Sequence, residues 1–366
     1  MIKIAILSMQ RVINYGSVLQ AYSLKKMLEE LSGEKVSFID IDSKESVPVS
    51  GNVSTKGDYH QDGFGIKKAP WLIFRKIKHK ALRKQYEENI KKFQIDELCL
   101  NDKSNDDQYD LVVIGSDEVF IAVNHIVLQL YGKVKNAKNI VTYAAASGVA
   151  QYSNIGKNEI VAVEDALSNI KHMSVRDAHT YDYISHMYQK EILKHVDPVL
   201  AGELRFRKHK DVSLQKYMIV YAYAERISDV KEIKAITDFA KKHNLKIVCV
   251  GGQQLWCDSF ITDEPIRMLD YFYHADYVVT DTFHGTVFSI INHCKFAVLQ
   301  RKSNEFKIKD VLQSVGLDDR LVKSLDTLEE TLMPDIDYAR VDKLLDTERE
   351  RTLKYLSMCI ADCIQS

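Results

Sequence analysis

Residues 276–299 read DYVVTDTFHGTVFSIINHCKFAVL, and the order of elements in this stretch sets the fold class. The β-branched run Tyr277-Val278-Val279-Thr280 predicts a buried strand, the apolar run 287–291 a helix, and Lys295-Phe296-Ala297-Val298-Leu299 a second strand. A strand, a helix and a strand in so short a length imply a parallel crossover unit. The junction after the first strand is Asp281-Thr282-Phe283-His284-Gly285. A turn needs a cap there, but not a carboxylate, a hydroxyl and a histidine together.

The same alternation extends in both directions. Towards the N-terminus lie KIAILS (3–8), a helical pattern over 17–31 with Leu19, Leu24 and Leu28 on one face, and KVSFIDID (35–42). DLVVIGSD (110–117), NIVTYAAASG (139–148) and HMSVRD (172–177) follow as strand-to-loop segments. YMIVYAYA (217–224), a helix over 228–243 and KIVCVGG (246–252) restart the pattern. This is an α/β chain whose parallel sheets are covered on both faces. The charged stretch GELRFRKHKDVSLQK (202–216) separates two blocks that each begin with a strand. The expectation is two Rossmann-like domains facing a cleft, 1–205 and 206–335. A C-terminal helix, 336–366, is expected to pack back on the first domain.

With 366 residues, 46% hydrophobic and 28% charged, the chain has material for more than one ordinary core. A net charge of −1 offers nothing to nucleic acid. No run reaches the roughly 18 apolar residues of a membrane span, and the N-terminus reads as a strand rather than a signal peptide. The six cysteines form no Cys-x-x-Cys pair, so a cytoplasmic protein without disulfides or structural zinc is expected. Residues 43–66, rich in Ser, Thr and Gly, read as a long loop; whether it closes over a site is left open. The basic helix 67–92 sets Lys67, Lys68, Arg75, Lys76, Lys78, Lys80, Arg83 and Lys84 among Trp71, Leu72, Phe74 and Ile77. Residues 67–84 suit peripheral contact with an anionic membrane, but packing against the protein itself is the preferred reading.

Four junctions carry candidate chemistry. Gly16-Ser17 opens a helix whose free N–H groups suit a phosphate or a sugar hydroxyl, or else Ser17 simply caps it. Asp117, delivered by strand 111–114, either orients a substrate hydroxyl or is a cap. Arg176 either clamps a carboxylate or phosphate, or forms a surface pair with Asp177. His284 has the chemistry to accept and donate a proton near neutral pH, and Gly285 would let a ligand approach the backbone. Asp281 would orient the imidazole or cap the helix.

Taken in order, NYGSVLQAYSL (14–24), VIGSDEVF (113–120), TYAAASG (142–148), SVRD (174–177), VDPVL (196–200), ADYVVTDTFHGTVFSI (275–290) and VLQSVGLDDR (311–320) resemble the polysaccharide pyruvyl transferase family. The resemblance implies a glycosyltransferase-B-like fold. It also implies transfer of a pyruvyl group from phosphoenolpyruvate to two hydroxyls of a sugar, giving a cyclic ketal in a bacterial cell-surface polysaccharide or its lipid-linked precursor. His284 matches the family's catalytic histidine, with Asp281 beside it. Arg176, Thr282, Phe283, Gly285 and Thr286 fall on the donor side, and Asn14, Tyr15, Gly16, Ser17, Gln20, Ser116 and Asp117 on the acceptor side. Phosphoenolpyruvate would be a co-substrate; no cofactor or metal is implied.

Two motifs depart from the family pattern. Many members carry Arg two residues before the histidine, where this chain has Thr282, so donor binding would draw on other groups, with Arg267, His293, Arg301 and Lys302 as candidates. The motif Gly-Ser-Asp-Gln-Val-Trp-Asn reads Gly115-Ser116-Asp117-Glu118-Val119-Phe120-Ile121 here. Alternatives are a glycosyltransferase-B-type enzyme with a nucleotide-sugar donor, or a catalytically silent subunit of polysaccharide assembly.

Overall fold

A computed structural model describes residues 2–49, 70–100 and 107–364; for 70–79 it describes the backbone. Strands β1 (Ile4–Leu7) and β2 (Val36–Ile39) precede a short β3 (Ser46–Pro48); β4 (Tyr109–Ile114) and a short β5 (His125–Val127) come next, then β6 (Ala137–Thr142), β7 (Ile170–Val175) and β8 (Ile192–Lys194). The first sheet runs β2-β1-β4-β6-β7-β8 and is parallel throughout. The second domain contributes β9 (Tyr217–Ala222), β10 (Lys246–Gly251), β11 (Ser259–Ile261), β12 (Tyr277–Thr280), β13 (Phe296–Leu299) and β14 (Leu321–Val322). Their order, β11-β10-β9-β12-β13-β14, is again all parallel. Counted within its own domain this is 3-2-1-4-5-6, the Rossmann order, and the first sheet is the related 2-1-3-4-5-6. Every residue of β9 is buried, as a strand covered on both faces requires.

Helices α1 (Tyr15–Ser32), α2 (Pro70–Asp96), α3 (Lys157–Ser168), α4 (Ala178–Ser185) and α5 (Pro198–Ala201) accompany the first sheet. With the second go α6 (Val230–Lys242), α7 (Pro265–Tyr273), α8 (Phe283–Ile291), α9 (Glu305–Ser314) and α10 (Leu328–Leu332). The long α11 (Tyr338–Ile364) closes the chain. α1 starts at Tyr15, not at Gly16-Ser17, because the Asn14 side chain caps it by accepting from Gly16 N–H; it stops at Gly33, which takes a left-handed φ of 69°.

One apolar core runs from the first sheet into the second, through Val18 and Leu24 of α1, Leu200 of α5, Leu269 of α7 and Phe288 of α8. A second core covers the other face of the first sheet. The domains are also tied by the Tyr15 hydroxyl donating to Asp263 O (2.6 Å) and Asn89 Nδ2 donating to Thr262 O (2.6 Å).

The loop expected over 43–66 is partly ordered, since β3 pairs antiparallel with β5; residues 50–66 lie outside the described residues. So do Lys67, Lys68 and the side chains of Trp71 to Lys78 on the basic helix. In the part of α2 that is described, Tyr86, Ile90 and Phe93 are buried in the core. Arg83 and Lys84 are exposed and pair with Glu87 and Glu88. Among the described residues no helix is long and apolar enough to cross a membrane.

α11 spans both domains. At its start the Tyr338 hydroxyl donates to Cys294 O (2.6 Å); further on the Tyr355 hydroxyl donates to Thr142 O (2.8 Å), and Asp362 meets His172 Nε2 at 2.8 Å. Beneath it His195 is buried, with Nδ1 2.8 Å from Ser174 Oγ and its ring 4.6 Å from that of Tyr355. Burial, helped by Arg351, lowers the pKa of His195 to about 4. The unfolded chain therefore takes up a proton near pH 6.5 that the native state refuses until about pH 4. The resulting stability is complete above pH 6.5 and is lost on acidification, by about 3 kcal/mol at its full extent. Denaturant unfolding between pH 7 and 4 should show a steeper loss for wild type than for His195→Asn. Parallel profiles would mean that this histidine titrates normally.

Candidate active site

In an open parallel sheet, the crevice for a ligand lies where the strand order reverses, beyond the C-terminal strand ends. In the second sheet that point is between β9 and β12, in the first between β1 and β4. Asp281-Thr282-Phe283-His284 leaves β12 and Tyr223 follows β9; Met9 to Asn14 follows β1, and Asp117-Glu118 follows β4. From these segments Met9, Asn14, Asp117, Glu118, Tyr223, Thr282, Phe283 and His284 line one cleft of about 220 Å³ between the domains.

Thr282 caps α8, its hydroxyl accepting from Gly285 N–H at 2.9 Å, and His284 follows in the first turn. The imidazole is 12% exposed and lines the cleft. One side of it rests on the other domain: a Cβ at Gly16 would fall 2.1 Å from His284 Nδ1. Its Nε2 is buried and lies 3.6 Å from Asp197 Oδ2.

Asp281 does not face this ring. Its Oδ2 accepts from Arg301 Nε (2.9 Å) and lies 3.2 Å from Arg226 Nε, and Arg301 is bidentate to Glu232. The cap role open to Asp281 has gone to Thr282, and the carboxylate beside His284 is Asp197. Gly285 and Thr286 are buried behind the cleft rather than lining it. A Cβ at Gly285 would fall 2.1 Å from Thr280 Oγ1 and 2.7 Å from Tyr221 Cδ1, so this glycine lets α8 approach its own sheet, not a ligand. Thr286 Oγ1 bonds the carbonyl of Thr282.

Arg176 is buried and pairs with Asp197 (Nη1 to Oδ2, 3.1 Å), not with Asp177, which caps α4. The guanidinium lies 4.1 Å above the Phe283 ring, and its Nε is buried with no hydrogen-bond partner. Burial works against ionisation of Asp197, but His284 and Arg176 outweigh it and hold the carboxyl below its ordinary range. A second cation comes from the opposite domain: Lys307 of α9 reaches Glu118 Oε1 at 2.5 Å. Burial disfavours its charge, yet Glu118 and Tyr223 keep its pKa raised. The cations considered from sequence are engaged elsewhere: Arg267 with Asp270, His293 with Asp342, and Arg301 with Asp281 and Glu232; Lys302 is exposed.

On the other wall, Ser17 Oγ donates to Asp117 Oδ2 at 2.8 Å, and Asp117 takes a left-handed φ of 76° that a non-glycine residue adopts at a cost. Asn14, Ser17 and Asp117 line the cleft. Tyr15, Gln20 and Ser116 do not. The Tyr15 ring meets Tyr86 edge-on at 5.0 Å, Gln20 Nε2 bonds Ser8 Oγ, and Ser116 Oγ bonds Ala144 O. Among the described residues no group of His, Cys, Asp and Glu is arranged to hold a metal.

A family model described as polysaccharide pyruvyl transferase matches residues 14–303. The chain belongs to the polysaccharide pyruvyl transferase family. No curated protein matches it in sequence. Distant structural likenesses include the UDP-GlcNAc 2-epimerase of Methanocaldococcus jannaschii (11% identity, 96% of this chain and 99% of that one, TM-score 0.47). Others are S. aureus MnaA with UDP (12%, 98% and 91%, 0.46) and an α-glucosyltransferase with UDP (11%, 100% and 99%, 0.44). They bear on no substrate.

In this member of the pyruvyl transferase family, Thr282 serves as the cap of α8, and Arg176 and Lys307 both line the cleft. Asp197, Lys307, Glu118 and Tyr223 were not singled out as site residues from sequence. Asp197 and Glu118 lay within quoted segments, VDPVL and the 115–121 motif, and Asp197-Pro198 carried the further signal of a cap followed by proline at the first helical position. Gly16→Ala tests how far the site depends on the ring's seat at residue 16. Alanine normally favours a helix by about 0.5–1 kcal/mol over glycine, but its Cβ would also fall 2.8 Å from His284 Cβ, so the overpacking should lower stability by about 1–3 kcal/mol. The new methyl must displace the imidazole, so turnover should fall by at least about 10²-fold. Full activity in Gly16→Ala would show that the ring's seat on residue 16 is dispensable.

Proposed function

We propose that this protein transfers the pyruvyl group of phosphoenolpyruvate to two hydroxyls of one sugar in a cell-surface polysaccharide or its lipid-linked precursor. The observation that carries this reading is the placing of Arg176 and Lys307, one from each domain, around the histidine at the switch-point crevice. Phosphoenolpyruvate carries a phosphate and a carboxylate close together, and two cations on opposite walls suit it. Each is held by a carboxylate, Asp197 or Glu118, that keeps it charged before the donor arrives.

His284 gives a proton to C3 of the enol, leaving positive charge at C2 that is shared with the bridging oxygen. A sugar hydroxyl attacks C2 and returns its proton to the imidazole. Inorganic phosphate then leaves, a second hydroxyl attacks the same carbon, and the ketal closes. Of the two hydroxyl protons, one ends in the new methyl group and the other on phosphate, so the histidine finishes as it began. Ser17 and Asp117, bonded to each other on the opposite wall, are placed to orient the acceptor hydroxyls.

Thermal unfolding with phosphoenolpyruvate, against a panel of nucleotide sugars, tests the donor. At 100 times its Kd a ligand stabilises by about 2.7 kcal/mol. Phosphoenolpyruvate should raise Tm for wild type and for His284→Ala, and the shift should vanish in Lys307→Ala. Turnover should be lost in His284→Ala. A response confined to nucleotide sugars would overturn the donor assignment.

A further inference from the structure

We infer that Asp197 is the positioning residue for His284: a buried carboxylate that fixes the proton on Nε2 and leaves Nδ1 to exchange protons with substrate. Asp197 is fully buried and its two oxygens have separate tasks. Oδ1 accepts from Val199 N–H at 3.0 Å, capping α5, and Pro198 at the first helical position stiffens that turn. Oδ2 accepts from Arg176 Nη1 at 3.1 Å and faces His284 Nε2 at 3.6 Å. One oxygen is therefore anchored to backbone while the other sits between a guanidinium and an imidazole.

An imidazole nitrogen turned to a carboxylate carries the proton, and this decides which nitrogen is free to act. Nε2 is the buried nitrogen, and its neighbour in space is Asp197. Nδ1 faces the Gly16 turn, on the wall that also holds Asn14 and Ser17. The 3.6 Å separation exceeds a hydrogen bond by a few tenths of an ångström, and such contacts tighten as a site closes on its ligand. Asp197 follows the last strand of the first sheet, whereas His284 follows β12 of the second. The pair thus exists only while the two domains are packed together.

What the oriented ring then does rests on the pyruvyl-transfer reading; how it is held does not. The test accordingly needs no substrate. The full chain is labelled with ¹⁵N at the histidine rings, and His284 is assigned by the signals lost in His284→Gln. Long-range ¹H–¹⁵N correlations then report which nitrogen bears the proton. In wild type the neutral ring should be the Nε2–H form. Asp197→Asn keeps the cap, since asparagine caps as well as aspartate, but removes the charge. The ratio of Nε2–H to Nδ1–H in His284 should then fall by about tenfold, the difference between a charge-assisted and a neutral hydrogen bond. Asp281→Asn should leave the ratio unchanged. An Nδ1–H ring in wild type would overturn the assignment even if Asp197→Asn fails to fold. So would an unchanged ratio in Asp197→Asn, or a change produced by Asp281→Asn instead. Failure of the donor in the thermal experiment would leave this result standing, and the converse holds equally.

Discussion

The close approach of the His284 ring to the backbone at Gly16 is the contact on which the arrangement of the cleft depends. It joins a residue two positions into α8 to a residue two positions into α1, across the boundary between domains. For the ring to sit there, α8 must lie close on its sheet, which Gly285 permits, and α1 must offer no side chain, which Gly16 provides. The continuous apolar core from α1 through α5 to α7 and α8 holds the two helix starts at that distance. Protein interiors are packed too tightly to absorb an extra methyl without displacing something. In this case the most easily displaced neighbour is the imidazole itself.

Around that contact the charges are arranged in pairs that cross or border the cleft. Arg176 is buried against Asp197, and Lys307 meets Glu118 from the opposite domain. Isolated, each of these groups would pay heavily for leaving water; paired, each stays ionised at the edge of a cavity. Glu118 is one-third exposed and, among the described residues, its ion pair is with Lys307 alone. Asp197 has three partners and no exposure, and belongs to the fixed part of the site. The contrast divides a carboxylate built into the packing from one at the edge of the cleft.

Much of the fold was legible in the sequence. β-branched runs such as Tyr277 to Thr280 announce buried parallel strands, and strand–helix alternation leaves few topologies. The junctions at 14–17, 115–117, 176 and 281–285 were also legible, because polar residues at the end of an apolar strand are conspicuous. Their division of labour was not. Asp281, Gly285 and Thr286 look as functional in sequence as His284 does, yet they face Arg301, Thr280 and the α8 backbone. Tyr15, Gln20 and Ser116 similarly belong to the packing beneath the cleft.

Sequence alone therefore determined the α/β class with its two Rossmann-like units and the family, and it drew the eye to the junction that carries His284, since each rests on local patterns of a few residues. The tertiary structure decided which carboxylate faces that histidine and which cations line the space before it. Asp197 lies 87 positions from His284 and Lys307 lies 189 positions from Glu118. Separations of that length leave no periodicity along the chain. They become contacts only when two parallel sheets set their switch points face to face.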